Sequence, residues 1–368
     1  MRRCMYFCML LALTLVAAPA FAQQDNASVE KAVSYIRSQQ QPDGSFAGFG
    51  PSSTADAVFA LSGAGVNVNE VKQGNASAVD YLRAQAGNTS NDAGIAAKFL
   101  IALLLSGQSP QLPNGTDVVA LVQRGYNAQT GQYGQDVTAH TYALISLVAA
   151  GVTPPVEAVN ALKALQLPDG GWSFDGTAAT GSDTNTTSLA VQALKATGDT
   201  SDAISKALTY YRAQQNVDGG FPYSQTSQFG NASDANSTAL SIQALLAAGE
   251  NLANWTKDGK TPTDRLLAFQ NPSGAFRYQD AQPEDNAFAT YQAVPAVVGK
   301  TLPLEPIMIA LPAPETSPLP SASPAPSTPP ADGPVSLPNT GADNLIPVLA
   351  LVAGMLLLGG LVLNRRRT

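Results

Sequence analysis

Acidic and amide side chains recur just before alanine-, serine- and threonine-rich stretches, and their types and spacing could support chemistry. The residues that share this position are Asp136, Asp183, Asn185, Asp234, Asn236, Asp285 and Asn286. Carboxylate and amide oxygens gathered at one place could bind polar ligand groups or a cation. Each residue also stands near an expected helix start, where an Asp or Asn cap stabilises by about 1 kcal/mol. Asp183, Asp234 and Asp285 look more like caps than catalytic acids, and both interpretations stay open.

The single histidine and the aromatic residues form a second set of candidates. His140 lies at a predicted helix start, and we interpret it as a lone structural or pocket histidine. Aromatic residues directly follow glycine turns at Phe46, Tyr133, Trp172, Phe221 and Phe276, and these are expected to pack between repeats. Phe174 and Tyr223 lie just beyond two of the turns. They are therefore better placed to reach a ligand.

The cysteine content excludes several kinds of site. Cys4 and Cys8 are the two cysteines, and both lie in residues 1–22, which we interpret as a secretory signal peptide cleaved after Ala22. A mature chain without cysteine has no disulfide, thiolate zinc site, cysteine nucleophile or internal thioester. No metal and no cofactor are predicted. The net charge is −7 without an evident basic patch, so nucleic acid is not an expected partner.

These candidates are positioned by an internal repeat. Clear copies end in a turn of the type Gln-x-x-x-Gly-x-Phe/Trp at 40–46, 166–172, 215–221 and 270–276. Weaker copies lie at 81–104 and 127–144. The six units follow one another at roughly 40–55 residues, a period typical of repeat architectures. Each unit predicts two helices, because glycine ends the first and a polar cap begins a second, alanine-rich one.

Six such helical hairpins predict an all-α fold, an α6/α6 toroid with the alanine-rich second helices inside. The Gln-x-x-x-Gly-x-Phe/Trp turns resemble the repeat of squalene/terpenoid cyclases and protein prenyltransferase β-subunits, and cobalamin carriers share the toroid. The resemblance covers about 30–300. It implies that the inner helices begin at one mouth of the barrel, where the acids, amides, His140, Phe174 and Tyr223 would face a shared cavity.

The same resemblance suggests catalysis, but the sequence lacks the catalytic motifs of these families. In the prenyltransferases an Asp-x-Cys pair and a later histidine hold zinc. Here Asn185 and Asn236 stand where the cysteine would be, and His140 has no thiolate partner. The Asp-x-Asp-Asp acid of the cyclases and the Gly-Cys-Gly-Glu-Gln thioester of complement-like toroids are absent from the sequence. The chain is therefore not expected to use zinc, and its catalytic residues, if any, are unknown.

The remaining segments predict export and anchoring. The toroid domain is assigned to 24–300, and a disordered Pro-rich stalk to 301–336. Residues 337–368 resemble a cell-wall sorting signal, with an apolar transmembrane stretch at 345–363 and a basic tail. Its pentapeptide is Leu337, Pro338, Asn339, Thr340 and Gly341. This resemblance implies sortase and cell-wall peptidoglycan as partners, a membrane-spanning stage before sorting, and cleavage between threonine and glycine.

Three functions fit this organisation. The first is a surface-anchored binding module whose bore captures an extracellular small molecule, a lipid-like molecule or a glycan. The second is an enzyme of the cyclase/prenyltransferase or lyase type that uses the ring of carboxylates. The third is a structural or adhesive domain whose bore is merely packed. The fold alone does not separate them, because function in such a scaffold lies in its site.

Overall fold

The computed structural model describes residues 20–87, 92–228 and 230–304. The chain divides into two units, Met1–Ile307 and Met308–Thr368, and the described residues belong to the first. Helices of an outer layer are α1 (Ala20–Ser38), α3 (Ala78–Ala84), α5 (Val118–Arg124), α7 (Val156–Ala164), α9 (Ala203–Gln214) and α11 (Pro262–Leu267). Helices of an inner layer are α2 (Pro51–Gly63), α4 (Ala93–Leu105), α6 (Val137–Ala149), α8 (Thr184–Ala196), α10 (Ala235–Ala247) and α12 (Ala287–Val297).

The inner helices form a closed ring. Each packs against the next in chain order, and α12 packs back against α2. Each outer helix packs on the inner helix that precedes it in the chain, and α1 packs on α12 in the same way. Three antiparallel two-stranded hairpins decorate the turns: β1 (Lys72–Gln73) with β2 (Ala76–Ser77), β3 (Tyr126–Asn127) with β4 (Gln132–Tyr133), and β5 (Phe276–Gln279) with β6 (Gln282–Asn286). The predicted α6/α6 toroid is confirmed.

Small side chains allow the inner helices to pack on several sides at once. In α2 every residue from Ser53 to Ser62 is buried, and α8 is buried from Thr186 to Leu194. Alanine, serine and threonine dominate both helices, so neighbouring backbones approach closely at little cost in volume. A helix buried nearly all round must lie at the centre of the fold.

A glutamine in the turn of four repeats connects each repeat to the next. The side-chain Nε2 of Gln166 donates to the carbonyls of Gly170 and Ala203, both at 2.8 Å. Gln40 and Gln215 make the same pair of bonds, to their own glycine and to a following repeat. Gln270 donates to Gly274 and to Ser28 of α1, both at 2.9 Å. The last repeat is thereby joined to the first, which closes the outer layer.

The chain after α12 covers the end of the ring at which the inner helices finish. Leu302 donates its backbone N–H to Oε1 of Gln192 at 2.7 Å, inside the barrel. Leu302 and Leu304 are buried, and Leu304 lies beside Gly63, the last residue of α2. This short segment, 301–304, is called the C-terminal strap below. Buried structure therefore continues a few residues beyond the predicted domain end at 300.

Several predictions fall on residues outside the described ranges. They are the signal peptide up to residue 19, the stalk beyond 304 and the sorting segment 337–368. Helix α1 begins at Ala20 and runs through the predicted cleavage position at Ala22. Within the described ranges, no helix has the length and hydropathy needed to cross a membrane.

The turn glycines provide a test of how tightly the repeats pack. Gly170 has φ +91°, and a Cβ there would lie 2.3 Å from the carbonyl oxygen of Lys206. Gly198 also has positive φ, +73°, but a Cβ there would meet nothing within 4 Å. We expect Gly198→Ala to cost about 1 kcal/mol from the backbone conformation alone. Gly170→Ala should cost about 2–3 kcal/mol more, because two backbones must separate.

Chemical denaturation of both variants measures the difference. Equal losses of unfolding free energy would show that the turns do not press against the next repeat.

Candidate functional site

The side chains that face the barrel axis can be identified from those that face outward. In five of the six inner helices the fourth residue after the cap accepts the backbone N–H of the aromatic residue in its own turn: Thr54 from Phe46, His140 from Tyr133, Thr187 from Trp172, Thr238 from Phe221 and Thr290 from Phe276. Residues two positions away on a helix point about 200° round. The second and sixth residues after each cap therefore point towards the axis.

The axis-facing positions line a cup that opens at the N-terminal end of the ring. At the second position the residues are Ser52, Gly94, Thr138, Asn185, Asn236 and Phe288, and all except Asn236 are partly exposed. At the sixth position Asp56, Lys98, Tyr142, Leu189 and Leu240 keep 5–8% of their surface exposed, while Gln292 keeps more. Their helix neighbours Ala57, Ala97, Ala143 and Ala190 keep none. Solvent therefore reaches the sixth position along the axis.

The cup ends about 10 Å below its mouth, at seven residues of helix rise. The ninth residues after the caps form its base: Phe59, Ile101, Ile145, Gln192, Gln243 and Pro295. All six are buried, and Ile145 and Gln192 have no exposed surface. The C-terminal strap lies on Gln192 beyond this layer. The buried layer and the strap lie across the bore, so we describe the space above them as a cup that opens at the mouth.

A buried ion pair stands on one wall of the cup. Lys98 Nζ lies 2.7 Å from Asp56 Oδ2, donates to Ser52 Oγ at 2.9 Å, and sits 5.2 Å from the ring centre of Tyr142. Burial raises the pKa of Asp56, and the charge of Lys98 opposes that rise. Sequence reasoning missed this pair. The available signal was Lys98 itself, the one charged residue in the otherwise apolar helix α4.

An amide pair stands on the wall formed by α10 and α12. Asn236 Nδ2 donates to Gln292 Oε1 at 2.8 Å. Above Gln292, Phe288 packs edge-on against Phe49, with ring centres 6.2 Å apart. Phe49 is 54% exposed, which is unusual for phenylalanine and places an aromatic edge at the rim. Asn236, a candidate from the sequence, thus lies on this wall, whereas Gln292, Phe288 and Phe49 were not among the candidates.

Asp183 and Asp234 are fully buried helix caps. Oδ1 of each accepts a backbone N–H at 2.7 Å, from Thr186 and Ser237 respectively. Within the described ranges, Oδ2 of each has no hydrogen-bond partner at good geometry. Burial raises the pKa of Asp183 to about 6 and that of Asp234 to about 7. These carboxyls are therefore caps that hold a proton unusually well.

Tyr223 and Tyr278 occupy equivalent positions beside these two acids. Each lies two residues after its turn aromatic, and burial, followed by the charge of Asp183 or Asp234, raises the pKa of its phenol. Phe174 has the same offset in the preceding repeat, where its carbonyl accepts the N–H of Val137 at 2.9 Å. All three are partly exposed. Tyr278 was missed, although the offset from Phe276 matches that of Tyr223 from Phe221.

His140 holds two layers together. Its Nδ1 accepts the N–H of Tyr133, and its Nε2 lies 3.0 Å from the carbonyl of Ala158 in α7, which requires the proton on Nε2. The side chain is completely buried, and burial lowers its pKa to about 4. The ring takes the place that threonine has in other repeats, so both nitrogens are occupied and neither faces the cup.

The other predicted acids and amides are distributed around the mouth. Asp136 caps α6 through Ala139, and Asn286 caps α12 through Ala289. Asp285 is exposed on β6, where it accepts from Asn271 and Ser273 and caps no helix. Asn185 lies on the mouth layer of the cup. In the described part of the chain, no three acidic or histidine side chains group as a metal site would need.

Comparisons with known proteins identify the fold and the anchor. The family model described as prenyltransferase alpha-alpha toroid domain matches residues 2–228, and that of the LPXTG cell wall anchor motif matches residues 329–368. The solved type II terpene cyclase MstE from Scytonema gives a TM-score of 0.55 at 15% identity, over 75% of this chain and 97% of that chain. No curated protein matches the chain.

Two further solved structures show how varied the proteins with this fold are. A protein from Actinoplanes gives a TM-score of 0.54 at 15% identity, over 75% of this chain and 99% of that chain. A glycosidase in complex with glucose gives 0.54 at 13% identity, over 77% of this chain and 98% of that chain. Identities this low establish a shared fold and leave the activity open.

The buried cap Asp234 predicts a specific pH dependence. Its pKa is about 7 in the folded chain and about 3.9 when unfolded, so its charge destabilises the fold increasingly as pH rises between these values. Asn keeps the capping oxygen and removes the charge. Relative to wild type, we expect Asp234→Asn to gain about 2–4 kcal/mol of unfolding free energy between pH 4 and pH 8.

Denaturant titrations of both proteins across that range give the difference in unfolding free energy directly. The contribution of His140 to the pH dependence is the same in both proteins and therefore cancels. Asp285→Asn serves as the control for loss of an exposed carboxyl. A difference for Asp234→Asn that does not change with pH would contradict the buried environment described above.

Proposed function

The chain belongs to the prenyltransferase α/α-toroid family, and we propose that it works as a surface-displayed binding module whose cup captures a small extracellular ligand. Its LPXTG anchor motif indicates a secreted protein that sortase processes and joins covalently to cell-wall peptidoglycan. The pentapeptide is Leu337 to Gly341. The ligand would therefore be met outside the membrane.

The cup inferred from the exposure of the axis-facing residues carries this proposal. It is open at the mouth, has polar groups on two walls and is closed by the C-terminal strap. Concave sites with a few convergent polar groups among apolar side chains are the usual form of small-molecule sites. A toroid that served only as a packed scaffold would gain nothing from an ion pair on its axis, because burying one is costly.

The shape and lining favour a compact polar ligand over a polyisoprenoid. A long hydrocarbon would have to pass Asp56 and Lys98, and would remove the remaining water from this charged pair at a cost in free energy. The base of the cup at Gln192 would also stop it after about 10 Å. Similarity to terpene cyclases supports the architecture and supplies no argument for their substrates.

An enzymatic role is the second candidate, and Asp183 and Asp234 motivate it. Both are buried acids whose pKa values lie near neutrality, as general acids require, and both adjoin tyrosines at the mouth. Their capping bonds argue for a structural role instead. If Asp183→Asn and Asp234→Asn keep every turnover detected with the wild-type chain, the enzymatic interpretation fails.

Native mass spectrometry tests the binding proposal. The protein is challenged with corrinoids, polyisoprenoids and glycans, and we expect a discrete adduct from a compact polar class. Thr138→Trp, which would fill the mouth layer from a partly exposed position, should abolish it, whereas a tryptophan at the exposed outer residue Val156 should not. No adduct with any class would leave the structural or adhesive role as the better account.

Anchoring has its own test. Replacing Thr340, the residue that would be joined to the wall, by alanine should stop covalent attachment without altering the toroid. We expect the Thr340→Ala chain to leave the wall fraction and to be extracted with membranes by detergent. Wall-bound Thr340→Ala protein after boiling in detergent would show that attachment uses another residue.

A further inference from the structure

We propose that the cup binds a single saturated sugar ring, with its hydroxyls on the Asp56–Lys98 pair and its C–H face on Leu189 and Leu240. This inference rests on the proposed binding function and deepens it by naming the ligand class and the residues that select it.

The ion pair offers a donor and an acceptor side by side. Lys98 has three N–H groups, and two of them are used on Asp56 and Ser52. Asp56 accepts the hydrogen bond from Lys98 through Oδ2, so its Oδ1 can still accept a hydrogen bond from a ligand. Adjacent hydroxyls of a sugar can donate to a carboxylate and accept from an ammonium at once. Charged partners make these hydrogen bonds stronger than neutral ones.

The opposite wall is apolar. In a closed ring of six helices, α8 stands across from α2 and α10 stands across from α4. Leu189 therefore faces Asp56, and Leu240 faces Lys98, at the same depth in the cup. A sugar ring has a hydroxyl-rich edge and a C–H face, so it matches a cup with one charged wall and one leucine wall. A uniformly polar ligand would leave the leucines facing polar groups.

The third wall adds an amide donor and an aromatic edge. Gln292 Oε1 accepts from Asn236, which leaves the Gln292 amide N–H groups directed away from that bond and at a partly exposed position. Phe288 lies one turn nearer the mouth and packs edge-to-face against Phe49. These groups would contact the part of the ligand nearest the opening.

The ligand is placed as a single ring because the sixth-position groups lie about 6 Å below the mouth layer, at four residues of helix rise. About 10 Å separates the mouth layer from the base, which is closed by Gln192 and the C-terminal strap. A free monosaccharide and the terminal residue of a longer glycan present the same chemistry at this depth. The two sources differ in whether a substituent on the anomeric oxygen is tolerated at the mouth.

Isothermal titration calorimetry on the full chain, in a detergent without a sugar headgroup, tests the inference. The probes are glucose, galactose, mannose and N-acetylglucosamine, their methyl glycosides, and the acyclic polyol sorbitol. We expect at least one pyranose to bind at least tenfold more tightly than sorbitol. Binding of the methyl glycoside would indicate a terminal glycan residue, and its loss would indicate a free sugar.

Removal of both charges distinguishes recognition from folding. Apolar residues of similar volume can replace a buried ion pair without loss of stability. The double variant Asp56→Leu/Lys98→Met should therefore keep its melting temperature and lose at least tenfold in sugar affinity. The matched control removes the Lys163–Asp199 pair, 3.1 Å apart and outside the cup, as Lys163→Met/Asp199→Leu. It should bind as the wild type does.

A milder variant covers the case in which the double variant does not fold. Gln292→Leu changes a partly exposed side chain and should also weaken sugar binding. Wild-type affinity in both variants would overturn the inference. If no pyranose binds while mass spectrometry detects a ligand of another class, the sugar assignment is wrong and the binding function stands. If nothing binds at all, both are wrong.

Discussion

The hydrogen bonds of a glutamine in four of the six turns are the constraint on which the rest of the toroid depends. In each case a single side-chain amide donates to its own turn and to the next repeat, as Gln166 does to Gly170 and Ala203. The carbonyls of the turn glycines lie outside any helix and are buried, and leaving such a group unpaired costs about 1–3 kcal/mol. The bond fixes how one repeat meets the next at four of the six junctions, including the one between the last repeat and the first that closes the ring.

The repeats differ in how closely they follow the common pattern of glutamine turn and threonine contact. The first repeat and repeats four to six keep the glutamine turn and the threonine contact, and Asp183 and Asp234 cap the inner helices of repeats four and five. The third repeat replaces threonine by His140. The ion pair lies on α2 and α4, next to Tyr142 of that same irregular repeat. Departures from a repeat rule are expected where a site has been built, because the site imposes requirements that the scaffold does not.

Sequence predicted the scaffold well and the site only in part. Helix pairs, caps and turn aromatics follow from local chemistry, so the toroid and the packing of Trp172 could be read from short segments. The cup could not, because an axis-facing position is defined only once the ring has closed. Asp183 and Asp234 drew attention by their spacing, yet capping already uses one oxygen of each. Asp56 and Lys98 lie 42 residues apart and meet only through the α2–α4 contact.

The bond between Gln270 and Ser28 also bears on how the protein is made. Its two ends are separated by 242 residues, and α1 completes the outer layer beside α12. A secreted chain emerges N-terminus first, so α1 reaches the outside long before its partner in the last repeat. Contacts at such separation form late and slowly. The apolar side of α1 therefore stays unpacked during translocation, and the ring of repeats can close only near the end of export.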